Sequence, residues 1–197
     1  MKLGTNIVLV ALCAALLPAA ALAHPGQGGS HDLIGGFMHP LSGIDHLLAM
    51  LAVGIFAAQL GGKAIWQVPF AFVVAMMGGG ALGYFGVPLP MVEQGIGLSV
   101  IVLGLAVMVG VRLPTWLAMG LVGLFAGFHG HAHGSEGALA HAFLPYAAGF
   151  VAATSLLHFA GVVLGLSLDR LGSKTALLAK RVLGAAGAVA GAAILVV

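Results

Sequence analysis

Charge is what this chain has least of. Only 6% of its 197 residues are Asp, Glu, Lys or Arg, against 61% hydrophobic ones, and the mean hydropathy is +1.15. A soluble domain keeps roughly a quarter of its residues charged, so composition assigns this chain to a membrane. The formal charge of +2 rests on seven basic residues that form no stripe able to follow phosphates, which excludes nucleic acid as a partner. Cysteine is nearly absent as well: Cys13 stands alone, so disulfides and thiolate metal sites are excluded. The phosphate-binding pattern GxxxxGK[ST] does not occur, and P-loop ATP hydrolysis goes with it.

What is present begins with MKLGTNIVLVALCAALLPAAALA. Lys2, an apolar run from Ile7 to Leu17, Pro18 and the small residues Ala21 and Ala23 predict a cleavable signal peptide over residues 1–23. Cleavage would remove Cys13 and leave His24 as the new N-terminus, outside a bacterial inner membrane. Residues 24–197 then read as one transmembrane domain.

After the polar linker HPGQGGSHD come six apolar runs: Leu33 to Leu60, Ile65 to Phe85, Glu93 to Val111, Leu113 to Gly130, Leu139 to Leu168 and Ala176 to Val197. Each is near the ~20 residues that cross a bilayer, so the expected fold is an all-α, polytopic membrane helix bundle. With the mature N-terminus outside, the first, third and fifth connections face the cytoplasm. They and the adjoining helix start hold Lys63, Arg112, Arg170, Lys174, Lys180 and Arg181, every basic residue after Lys2. That distribution obeys the positive-inside rule and places both mature termini in the periplasm. Glycine pairs such as Gly123 with Gly127, Gly161 with Gly165 and Gly187 with Gly191 permit close helix contact.

Two stretches break the apolar pattern. HPLSGIDHLLAM carries His39, Asp45 and His46, and FHGHAHGSE carries His129, His131, His133 and Glu136. An Asp at the centre of a membrane helix costs about 2.5 to 3.5 kcal/mol, so such groups mark a site or a path. On a continuous first helix His39, Gly43, His46 and Met50 share a face, with Asp45 beside them. His129, His133 and Glu136 share a face of another, while His131 points elsewhere unless Gly130 and Gly134 turn the backbone.

Imidazole and carboxylate suit borderline divalent ions such as nickel, cobalt, zinc and copper. On straight helices His39 lies about 9 Å below the outer boundary and Asp45 and His46 about 18 to 20 Å, while His129 reaches about 24 Å from the inner side. The two motifs therefore meet in the outer half. The expected order is capture by outer His and Glu, partial dehydration at His39, His129, His133 and Glu136, then passage along Asp45 and His46. His24, with His31 and Asp32, is placed to collect metal at the entrance, and His141 to join the outer cluster. His158 and Glu93 have no partner in the sequence. No prosthetic group is implied. The residues alone leave three functions open: carriage of a divalent cation, intramembrane zinc hydrolysis with Glu136 as general base, or outer-facing metal sensing or storage, against which the depth of Asp45 and His46 speaks.

At these residues the chain closely resembles the HupE/UreJ family of bacterial nickel and cobalt permeases. The family's H-x5-D-H motif is matched by His39, Asp45 and His46, and its FHGxAHGxE motif by Phe128, His129, Gly130, Ala132, His133, Gly134 and Glu136. His131 falls on an unspecified position. The resemblance covers nearly the whole chain and implies secondary uptake of Ni²⁺, in some members Co²⁺, to supply hydrogenase or urease.

Overall fold

Seven α-helices make up the described residues, 32–137 and 143–196, of the computed structural model. They are α1 (Leu33–Ser42), α2 (Ile44–Leu60), α3 (Ala64–Tyr84), α4 (Val92–Val109), α5 (Thr115–Gly137), α6 (Phe143–Asp169) and α7 (Ser173–Val196). No strand occurs among the described residues, in keeping with the all-α expectation. The signal-peptide region, His24, His31 and His141 lie outside them.

By length and composition α3, α4, α6 and α7 can each cross a membrane, and α1 with α2, bent by 80°, is long and apolar enough to make a fifth span or a re-entrant loop. α5 is 23 residues long, about 34 Å at 1.5 Å per residue, so it has the length. Its histidine-rich end lowers its hydropathy, and on composition the six expected runs reduce to at most five. The expected fourth run also ended too early: the helix continues past Gly130 to Gly137 and carries the whole FHGHAHGSE segment.

The continuous first helix is the larger correction. Pro40, inside α1, has no amide N–H to give the helix ladder. Ser42 Oγ donates to the His39 carbonyl oxygen at 2.9 Å, and the Gly43 N–H donates to the same oxygen at 3.2 Å. Gly43 itself is extended, with φ −82° and ψ 118°, and α2 starts afresh behind it.

Apolar side chains cover both faces of the helices. On α3 Val68, Phe72 and Met76 are buried, while Phe70, Val74 and Met77 are exposed at helical spacing. A helix apolar all round belongs in lipid. Trp66 and Trp116, near the starts of α3 and α5, are exposed, as expected of rings at a membrane interface.

Lipid is as apolar as a leucine core, so helix association here depends on fit. α3 and α5 meet backbone to backbone. A Cβ on Gly130 would overlap the Met76 carbonyl oxygen, and one on Gly134 the Gly80 carbonyl oxygen. Gly79 lies against Gly127 and Gly83 against His131, a constant offset that makes the two helices parallel. α4 and α7 run antiparallel, with Gly97 against Leu195, Gly104 against Ala188 and Gly184 against Met108. Gly161 and Gly165 seat α6 on α2, whereas Gly127 has open space beside its own Cα. Because α3 and α5 start at the same end, Lys63 and Arg112 gather there, and the FHGHAHGSE segment lies at the other.

Candidate metal centre

The break at Gly43 brings together what a straight helix would separate. Seven residues along one helix span about 10 Å, yet the His39 and His46 rings lie 5.7 Å apart across the bend. His133 of α5 completes the group, its ring 4.5 Å from His39 and 4.6 Å from His46. One nitrogen from each of the three can be chosen so that all lie within 4.8 Å of one another. His46 and His133 are buried and His39 half-buried.

Two carboxylates stand behind the rings. Asp45 Oδ1 is 2.8 Å from His46 Nδ1, and Glu136 Oε2 is 3.2 Å from His133 Nδ1. An ionised carboxylate only accepts, so each Nδ1 carries the proton and each Nε2 is left with its lone pair. Those two Nε2 atoms face each other at 2.5 Å. Lone pairs so aimed repel unless a proton or a cation lies between them, and carboxylate-backed imidazoles are the arrangement that raises ligand basicity at metal sites. The Asp45 side chain is 27% exposed and the Glu136 side chain 57%, so the carboxylates form the exposed side of the centre and the imidazoles its buried side.

Local chain chemistry explains the placement. Asp45 sits in the first turn of α2, where helix amides favour a negative charge, and the same Oδ1 accepts from the His46 backbone N–H at 2.8 Å. A Cβ on Gly43 would stand 2.9 Å from that oxygen and 3.1 Å from His46 Nδ1, so glycine is the residue that leaves this pair room.

The expected set of His39, His129, His133 and Glu136, with Asp45 and His46 further inward, is regrouped. His46 joins His39 and His133, while Asp45 and Glu136 back the rings. His129 is fully buried one turn below His133, its ring 5.0 Å from His46. Ser99 Oγ gives its proton to the Ile96 carbonyl oxygen at 2.6 Å, so at 2.9 Å it accepts from His129 Nε2–H. His129 Nδ1 has no hydrogen-bond partner among the described residues. An unpaired buried polar atom of this kind costs about 1–3 kcal/mol.

His131 turns away: its Nε2 donates to the Val87 carbonyl oxygen at 2.7 Å and ties α5 to the α3–α4 connection. Glu93 lies exposed in the first turn of α4.

Three residues that no motif pointed to shape the centre. Phe150 of α6 packs 4.5 Å from the His133 ring and 6.0 Å from those of His39 and His46. Tyr146, one turn earlier, lies 6.3 Å from His39. Ser99 holds His129. Four-residue spacing puts Tyr146 and Phe150 on one face of α6, but nothing in the sequence says which face meets the histidines.

The family described as HupE / UreJ protein matches the chain over residues 11–194. Protein HupE of Rhizobium leguminosarum bv. viciae is 49% identical over 189 residues, covering 96% of this chain and 97% of that relative. No solved structure matches. A match over nearly the full length at that identity establishes descent, and the chain belongs to the HupE/UreJ family.

Proposed function

We propose that the protein is a secondary transporter, not an enzyme, that takes Ni²⁺ or Co²⁺ across the bacterial inner membrane for the maturation of hydrogenase or urease. The observation that carries this reading is the three-imidazole centre of His39, His46 and His133, backed by Asp45 and Glu136 at a break in a membrane-length helix pair. Broken helices at ion sites are a recurrent transporter device, and HupE/UreJ is a family of the transporter type.

In this scheme residues 1–23 are a cleaved signal peptide and residues 24–197 a single domain with both termini periplasmic. α5 crosses the membrane despite its polar end. His24 and Glu136 collect the ion outside, and the three imidazoles replace part of its water shell. Moving a divalent cation inward gains about 4.6 kcal/mol per 100 mV of inside-negative potential, twice the value for one charge. The ion is cargo, and no resident cofactor is needed. The hydrolase reading is less favoured, because Glu136 backs the His133 imidazole and the family is of the transporter type.

The test is uptake of radioactive nickel into proteoliposomes under an imposed inside-negative potential, with Co²⁺, Zn²⁺ and Cu²⁺ as competitors. Uptake suppressed by Co²⁺ alone is expected. Stoichiometric metal retention without flux would refute transport.

A further inference from the structure

Inward of the three-histidine centre, α6 carries an imidazole that belongs to neither motif. His158 is 2% exposed, and neither of its ring nitrogens has a hydrogen-bond partner among the described residues. A buried polar group left without a partner lowers stability. His129 presents the same feature at Nδ1. One ring, Phe72, lies against both, 6.0 Å from His129 and 4.8 Å from His158.

The two histidines continue the centre inward. Phe150, Thr154 and His158 follow at intervals of four on one face of α6. Each interval is about 6 Å, so His158 lies about 12 Å beyond the Phe150 that packs on the centre, toward the basic end of α6. On α5 His129 is one turn from His133 in the same direction. Between them the Thr154 hydroxyl reaches Met76 Sδ at 3.8 Å, which adds a thioether to the polar file.

We propose that His129 and His158 form a second, inner station for the divalent cation, taking it from the outer centre on its way to the cytoplasmic end. The proposal rests on the transport reading above. A divalent ion cannot cross ten or so ångströms of apolar packing unliganded, and donors about one and two helical turns inward of the centre let it exchange ligands step by step. The donor set is unpaired imidazole nitrogen with a thioether nearby, chemistry that favours borderline transition ions over Mg²⁺ or Ca²⁺. His129 is built for the hand-over: one nitrogen is anchored on Ser99, and the other is free within the core.

His158→Phe removes both nitrogens and keeps a ring of similar size in an apolar setting. Reconstituted full-length H158F should lose at least tenfold in initial nickel uptake rate, while the outer centre of His39, His46 and His133 in the purified protein still takes up one nickel per chain. Uptake at the unaltered rate would overturn the station. If H158F fails to reach the membrane, Co²⁺ absorption is measured on purified His133→Ala protein, which keeps His129 and His158. A residual imidazole-type Co²⁺ spectrum, lost when His129→Phe is added, supports the station; no residual spectrum overturns it. Absence of uptake by the unaltered protein would refute transport itself, a result distinct from loss in H158F alone.

Discussion

A single oxygen, Asp45 Oδ1, lies 2.8 Å from the His46 ring nitrogen Nδ1 and 2.8 Å from the His46 backbone nitrogen. It therefore fixes the first turn of α2 and the direction of the imidazole together. Asp45→Asn keeps the volume but removes the charge that holds the Nδ1 proton. Loss of such a supporting carboxylate costs about 10–100-fold in metal affinity. That drop is expected in equilibrium nickel binding by purified D45N, at unchanged abundance in the membrane.

Gly43 leaves space for that pair. A Cβ at this position would come within 2.9 Å of Asp45 Oδ1 and 3.1 Å of His46 Nδ1. Gly43→Ala should weaken nickel binding, and Gly43→Val should weaken it further. Equal affinities across the three proteins would show that the contact yields freely.

Among the histidines of FHGHAHGSE, position decides role. His131 donates to the Val87 carbonyl oxygen, a bond that glutamine can also make. His131→Gln should transport nickel within about twofold of the unaltered protein, because a retained neutral hydrogen bond leaves only ~0.5 kcal/mol at stake. His133→Gln should transport none. Uptake assays at matched expression separate the two.

The α3–α5 contact predicts a contrast in stability. Gly130→Ala drives a methyl group into the Met76 carbonyl, whereas Gly127→Ala meets nothing within 4 Å. Overpacking of this kind costs about 1–3 kcal/mol, so G130A should melt at a lower temperature in detergent while G127A melts like the unaltered protein. Equal melting temperatures would contradict the backbone contact.

Topology is testable by thiol labelling, since Cys13 is the only cysteine and can be replaced. Pro90, in the α3–α4 connection, and Ser173, at the start of α7, are both exposed. In a Cys13→Ala background, Pro90→Cys should react with an impermeant maleimide from the periplasm, and Ser173→Cys only after the membrane is opened. The reverse pattern would invert the proposed orientation.

The helical class, most of the apolar runs and both histidine motifs were legible in the sequence, because hydropathy and residue type are local properties. The bend was less so. Pro40 and Gly43 were visible, but a proline inside a helix can also kink it without ending it, and only the packing of α1 and α2 against α6 selects the break. For that reason the turn-spaced stripe of His39 and His46 picked out residues that the fold brings together, but through the wrong geometry, and the straight-helix depths set His46 too far from His39. His129 resembles His133 in sequence, and its bond to Ser99 depends on which face of α4 it meets. Tyr146 and Phe150 carry no metal-ligand chemistry, and so periodicity could not single them out.

The glycine contact between α3 and α5 also divides the surroundings of the three histidines into parts that can and cannot be varied. Where a carbonyl oxygen lies against a Cα, as Met76 does at Gly130 and Gly80 at Gly134, no larger side chain fits, and the seating of α5, which carries His133, is closed to variation. The α6 wall is made of the side chains Tyr146 and Phe150, beside the histidines. Side chains can be exchanged without moving a backbone. The space around the three imidazoles is thus open to adjustment from α6, with His133 as the fixed reference.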